Sequence, residues 1–298
     1  MTPPGSGAGE QPTRPGAPDL ERILGRPGRL LIVSDFDGTL AEGSRDPAAA
    51  AIVPLARRAL RRLAGIERRR PDRLAVAILT GRAVPDAARR VRVGGIRYLG
   101  DHGLQTGTYP RGRQAERVEV AVVSDHEHAV EPAAILADRV PRLLGSPSWL
   151  FVERKGPSVA FHVRQADDRV AARAAVEGAI ETVDRDLPPH DLAHYRGRLV
   201  VDLRPRSAGG KREAMKRLIH DLRPSSVVVL GDDLSDADAF AVVRERRAAG
   251  NLDGLAIAVT GPHGMPPEVR ETADLMLAGP FYAARALSLL ARAVAGEP

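Results

Sequence analysis

The chain has 298 residues, no cysteine, a net charge of +6 and a pI near 10.2. Without cysteine there is no disulfide framework, no thiolate metal site and no thiol nucleophile. The 43% hydrophobic content is enough for a sizeable core, yet no apolar run is long enough to span a membrane.

Residues 1–28 are rich in Pro and Gly, lack the apolar centre of a signal peptide, and are expected to form a disordered tail. A cytoplasmic, monomeric protein with no membrane partner is the expectation. The first strand, Leu30–Ser34, ends in Asp35-Phe36-Asp37-Gly38-Thr39. Residues i and i+2 at a strand end project to the same side, so Asp35 and Asp37 can face one site. Two carboxylates that close need a cation or a shared proton. Mg²⁺ binds through one or two carboxylates plus substrate phosphate oxygens, so the pair points to phosphate chemistry. A calcium loop would want Gly at position six; Gly38 stands at position four.

Next comes a helix over Pro54–Arg69, whose Ile52, Ala56, Ala59, Leu60 and Leu63 neighbourhood places most of its arginines on the opposite face. This basic stretch reads as a solvated helix face. With 3% aromatic residues stacking platforms for single strands are scarce, and no nucleic-acid partner is expected. Strands over Leu74–Thr80 and Ile96–Gly100, with a helix over Pro85–Val91 between them, end in Thr80-Gly81-Arg82 and Gly100-Asp101-His102-Gly103. The stretch from about Gly107 to Arg206 reads differently: strand Val118–Val123, helix Glu131–Leu144, strands Trp149–Glu153 and Val159–Arg164, helix Asp168–Arg185, strand Leu199–Leu203. That pattern suits a small α+β domain inserted in a larger one. Beyond it, helix Lys211–Leu222 follows Gly209-Gly210, strand Ser226–Leu230 ends in Gly231-Asp232-Asp233-Leu234-Ser235-Asp236, and helix Asp236–Ala249, strand Gly254–Val259 and helix Phe281–Val294 complete the chain. Alternating strands and helices argue for an α/β fold with a parallel sheet covered on both faces. Ligands then bind outside the carboxyl ends of the strands. Lysine occurs at Lys155, Lys211 and Lys216 alone, in a chain otherwise basic through arginine. A retained lysine hints at a need for a compact point charge.

Taken in order, Asp-Phe-Asp-Gly-Thr, Thr-Gly-Arg, Lys211 and Gly-Asp-Asp-x-Ser-Asp resemble the four motifs of the haloacid dehalogenase (HAD) superfamily of phosphatases. Glu153-Arg154-Lys155-Gly156 with Ala160, His162 and Arg164, and the Gly197-Arg198…Val201-Asp202-Leu203-Arg204-Pro205 strand, resemble the cap of its trehalose-6-phosphate phosphatase family. The resemblance implies a HAD-like Rossmannoid core over 29–106 and 207–298, with an α+β cap over 107–206. It implies a phosphatase that takes a phosphorylated disaccharide, trehalose 6-phosphate, through an aspartyl-phosphate. Asp35 would be the nucleophile and Asp37 the general acid and base. Mg²⁺ would be held by the Asp35 carboxylate, the Asp37 carbonyl and Asp232. Thr80 and Lys211 would bind the phosphoryl oxygens, with Thr39, Asp233 and Asp236 as support. Arg82, His102, Glu153, Lys155, His162, Arg164 and Asp202 would meet the substrate. The chain departs from the family pattern at Asp202 (usually Glu), Val163 (usually Tyr), Ala237 (usually an acid) and Arg212 (usually Gly). The first two lie in the cap and leave open another phosphorylated disaccharide, pseudo-disaccharide or glycosyl-glycerate. A silent sugar-phosphate sensor would have no need to keep Asp35, Asp37 and Lys211.

Overall fold

The computed structural model describes residues 22–42, 49–197, 199–261 and 264–297. In chain order its elements are β1 (Leu30–Ser34), α1 (Pro54–Arg69), β2 (Leu74–Leu79), α2 (Val84–Val91), β3 (Arg97–Gly100), β4 (Gln105–Thr108), β5 (Glu119–Val122), α3 (Val130–Leu143), β6 (Phe151–Arg154) and β7 (Val159–His162). There follow α4 (Arg169–Asp184), β8 (Leu192–Gly197), β9 (Val200–Pro205), α5 (Gly210–Leu222), β10 (Ser226–Gly231), α6 (Leu234–Ala248), β11 (Asp253–Val259), α7 (Pro267–Thr272), β12 (Leu275–Leu277) and α8 (Pro280–Ala295). The chain divides into two compact units: one comprises the described residues up to Ala75 and from Leu222 onward, the other Val76–Asp221. Among the described residues, no helix is long and apolar enough to cross a membrane.

In the first unit β1, β10, β11 and β12 lie side by side and parallel, with Leu30 opposite Ser226 and Ser34 opposite Leu230. Every residue of β1, β10 and β11 is buried, as expected of strands covered on both faces and written as continuous apolar runs. Helix α1 buries Ala56, Ala59, Leu60 and Leu63 at the 3–4 spacing of one face and packs on α8, whose Ala283, Ala284, Leu287, Leu290 and Ala291 are buried. Alanines on both helices let the axes approach closely. Of the tail expected over 1–28, residues 1–21 lie outside the described residues. Within the expected tail, a helical turn runs from Arg22 to Gly25, Ile23 is buried, and Arg22 pairs with Asp253. Ser226 Oγ donates to the Ile23 carbonyl (3.3 Å). A buried apolar side chain, an ion pair and a hydrogen bond tie down a segment whose Pro/Gly-rich surroundings disguise it.

The second unit contains two sheet portions. β2 and β3 run parallel, and β4 and β5 continue antiparallel from β3. The sheet is therefore mixed rather than purely parallel, and the Val118–Val123 strand assigned from sequence to the insert pairs instead with β4. The other portion is an antiparallel sheet in the order β6-β7-β9-β8 under α3 and α4. Its helix-facing side carries Phe161, Val163, Val201 and Leu203, which join Leu136, Val140, Val176 and Ile180 in one apolar cluster. Asp168 caps the start of helix α4: its Oδ1 accepts from the amides of Val170 (3.0 Å) and Ala171 (2.9 Å).

Candidate active site

The first unit gathers carboxylates. Because β1 and β10 are parallel and in register, the residues after their last rungs emerge at the same edge. Asp35 N donates to the Leu230 carbonyl (2.9 Å), tying that exit to β10. The chain then turns, with the amides of Leu40 and Ala41 both donating to Phe36 O (2.9 Å each), and Asp37 bridges to Ala41. Gly38 sits at φ +74°, and a β-carbon there would lie 1.9 Å from Asp232 Oδ2. The turn thus needs glycine twice over, for its left-handed backbone and for the close approach of Asp232. Thr39 Oγ1 donates to Asp232 Oδ1 (3.1 Å). Asp233 caps α6: its Oδ1 accepts from Asp236 N (3.1 Å), while Asp236 Oδ2 accepts from the amides of Asp232 (3.1 Å) and Asp233 (3.2 Å). This reciprocal capping box holds Asp232 in place.

Oxygens of Asp35, Asp232 and Asp236 lie within 4.8 Å of one another, and Asp35 and Asp236 are buried. Three carboxylates so close in a buried setting repel unless a cation is shared, and an all-oxygen donor set is that of a hard divalent ion. The residues fit Mg²⁺. Asp236 enters the acid group itself, although one of its oxygens is already committed to two amides.

The second unit holds the groups expected to meet phosphate and sugar. Thr80 is buried at the end of β2; its amide donates to Leu99 O and its carbonyl accepts from His102 N (both 2.9 Å). Arg82 N donates to Thr80 Oγ1 (3.3 Å), and the Arg82 guanidinium pairs with Asp86 (2.7 Å). Burial pushes the Asp86 carboxyl up, but hydrogen bonds from Arg90 and Arg82 outweigh it and hold it below the ordinary range. The His102 ring lies over Gly81, where a β-carbon would stand 2.8 Å from Nε2. Lys211 is buried in the first turn of α5. That helix is seated on the Asp101–Gly103 turn: Arg217 donates to Gly103 O (2.6 Å), and a β-carbon on Gly103 would meet Ala214 Cβ at 2.3 Å.

On the antiparallel sheet, Glu153 of β6, Ala160 of β7 and Asp202 of β9 are cross-strand neighbours in one row. They share the face opposite the apolar cluster. The small Ala160 leaves room between the two acids, and the Lys155 ammonium lies 3.8 Å from Glu153 Oε2 and 3.9 Å from Asp202 Oδ1. His162, two residues beyond Ala160, meets Glu153 at 3.1 Å and packs on Phe151. Burial works to raise the Glu153 carboxyl, but the His162 hydrogen bond and the Lys155 charge hold it low. Arg164 follows β7 and is half-buried. Val163 points to the other face and is wholly buried, so its departure from Tyr belongs to the apolar cluster.

Asp101 was absent from the residues expected from sequence to act. It is fully buried and 3.9 Å from Lys155, and Ser158 Oγ donates to its Oδ2 (2.5 Å). Burial above all, with Asp202 assisting, pushes its carboxyl from the ordinary 3.8 up to about 7 against the pull of Lys155. Burial would pull the Lys155 ammonium down, and Asp202, Asp101 and Glu153 more than reverse it. An acid protonated in the folded state and ionised in the unfolded one adds stability below pH 3.8 that is lost as pH rises to about 7. Thermal melts of wild type and Asp101→Asn should show the variant gaining on wild type from pH 4 to 7 and the gap levelling above. A constant gap would mean that Asp101 is ionised throughout.

A sequence model of the trehalose-phosphatase family matches residues 33–265. The chain belongs to that family. It is similar to the trehalose-phosphate phosphatase of Mycobacterium tuberculosis, 33% identical over 273 residues, covering 86% of this chain and 59% of the relative. It is also similar to that of Mycobacterium avium, 38% identical over 232 residues, covering 76% of this chain and 53% of the relative. The chain thus spans little more than half the length of these curated relatives. Among solved structures, the C-terminal domain of the Candida albicans trehalose-6-phosphate phosphatase superposes with a TM-score of 0.66 at 22% identity, covering 92% of this chain and 96% of that one. The α/β fold is the HAD fold shared by the trehalose-phosphatase family.

Proposed function

We propose that this chain hydrolyses trehalose 6-phosphate to trehalose and phosphate, with Mg²⁺ and through an aspartyl-phosphate on Asp35. The observation that carries the reading is the acid group of Asp35, Asp232 and Asp236 at the ends of parallel strands, in a member of the trehalose-phosphatase family. Asp35 attacks phosphorus as the bond to the sugar oxygen breaks, and Asp37 delivers a proton to that oxygen. Asp37 then takes a proton from the water that attacks the aspartyl-phosphate, releasing phosphate and restoring Asp35. Thr80 and Lys211 hold the phosphoryl oxygens, by a hydroxyl hydrogen bond and a buried positive charge. Asp35, the Asp37 carbonyl and Asp232 would hold the ion, with Thr39, Asp233 and Asp236 supporting them. When bound, Mg²⁺ neutralises the acid group and the charge developing on the phosphoryl oxygens.

Glu153, Lys155, His162 and Asp202, on one face of the antiparallel sheet, receive the sugar, with Arg82, His102 and Arg164 beside them. Asp202, one methylene shorter than the usual Glu and already engaged with Lys155 and Arg204, favours a second reading in which another phosphorylated disaccharide is the substrate. The metal requirement is testable by chelation. Phosphate release from trehalose 6-phosphate should vanish in excess chelator and return with Mg²⁺. Release that persists in chelator would contradict the role given to the acid group.

A further inference from the structure

The Lys155 ammonium has a third acidic neighbour, Asp101, borne by the turn after β3. Its geometry differs from that of a simple ion pair. Nζ lies 3.8–3.9 Å from one oxygen each of Glu153, Asp101 and Asp202. All three are just beyond hydrogen-bond length. Asp101 Oδ1 and Asp202 Oδ1 are buried and have no hydrogen-bond partner, a costly state for a carboxylate oxygen unless a cation is centred among such acceptors. Lys155 is also fixed through its backbone. Gln105 Nε2 donates to Lys155 O (2.6 Å) while Gln105 Oε1 accepts from Val84 N (2.9 Å), and Lys155 N donates to Ser158 O (3.1 Å). Ser158 in turn donates to Asp101. Asp101 and His102 are both left-handed, at φ +50° and +55°, a strained pair of non-glycine residues that persists where the surroundings over-determine it.

We propose that Asp101 is a positioning residue for Lys155, fixing the ammonium over the Glu153–Ala160–Asp202 face where the sugar of the substrate is read. The proposal rests on the reading of Lys155 as a sugar contact. Asp101 itself is fully buried, so it acts through the lysine and not on the sugar. The charged and polar groups that face it are Lys155 and Ser158 from the β6–β7 connection and Asp202 and Arg204 from β9. Ionised, Asp101 holds the ammonium; protonated, it releases it. Its midpoint near pH 7 makes the hold dependent on pH.

The test is steady-state phosphate release from trehalose 6-phosphate by wild type, Asp101→Asn, Lys155→Ala and the double variant, from pH 6 to 8. Asp101→Asn should raise KM about 3- to 10-fold at pH 8, with the effect in KM rather than kcat. The ratio of variant to wild-type KM should shrink toward one as pH falls to 6, because wild type is then protonated at Asp101 as well. The double variant should be no worse than Lys155→Ala. Additive effects, or a ratio independent of pH, would overturn the proposal while leaving Lys155 as a sugar contact. A Lys155→Ala enzyme with wild-type KM would overturn that contact and the proposal with it. Should Asp101→Asn fail to fold, Ser158→Ala removes the donor to Oδ2 and should raise KM in the same sense; an unchanged KM there would overturn the proposal.

Discussion

Asp35→Asn should abolish phosphate release from trehalose 6-phosphate, by on the order of 10⁴-fold or more. The amide is close in volume to the carboxylate, and the Asp35 backbone bond to Leu230 is untouched, so the fold should survive with a normal melting profile. In the proposed mechanism two functions vanish together: the oxygen that attacks phosphorus and one charge of the acid group. The loss should fall on kcat, since Thr80, Lys211 and the sugar contacts remain to bind substrate. Rapid-quench assays should detect no acid-stable phosphoenzyme in the variant. Turnover near the wild-type rate would remove Asp35 as nucleophile and require attack by water directly.

Gly38→Ala should be nearly as damaging, although glycine offers no chemistry. The added methyl faces two obstacles. The left-handed backbone at φ +74° costs a β-carbon about 1–2 kcal/mol. Its position, 1.9 Å from Asp232 Oδ2 and 2.4 Å from Cγ, forces Asp232 away from Thr39 and from the acid group. Half-saturation by Mg²⁺ should rise about 10–100-fold, with activity partly recovered at high metal. A lower melting temperature should accompany it. An unchanged Mg²⁺ requirement would mean that Asp232 is not a ligand held by this turn.

Three of the core motifs were legible because each sits where a short apolar strand stops, and Lys211 because it opens a helix after Gly209-Gly210. β1, β2 and β10 read directly as buried runs, and Asp35, Thr80 and Asp232 follow from asking what lies at their ends. Gly38 was legible only as part of a pattern; that its hydrogen makes room for Asp232 is a fact of three dimensions. β4, with sequence Gln-Thr-Gly-Thr, and the edge strand β8, Leu-Ala-His-Tyr-Arg-Gly, carry no apolar run and depend on their partners for strand geometry. β12 has three residues, too few for any period. Asp101 escaped for a different reason. In sequence it is one more polar residue after a strand, and its importance comes from Lys155, Ser158 and Asp202, which lie far along the chain. Val163 shows the converse: read as a change in the cap that bears on the sugar, it faces the apolar cluster because strand alternation turns it away from His162.

The most direct measurement is phosphate release with Mg²⁺ across trehalose 6-phosphate, glucose 6-phosphate, sucrose 6-phosphate and mannosyl-3-phosphoglycerate. The proposed function predicts a kcat/KM for trehalose 6-phosphate far above the other three, since the Glu153–Lys155–Asp202 face reads the sugar while the acid group performs the same chemistry on each. Uniform low activity across the panel, or a clear preference for another member, would contradict trehalose 6-phosphate as the substrate.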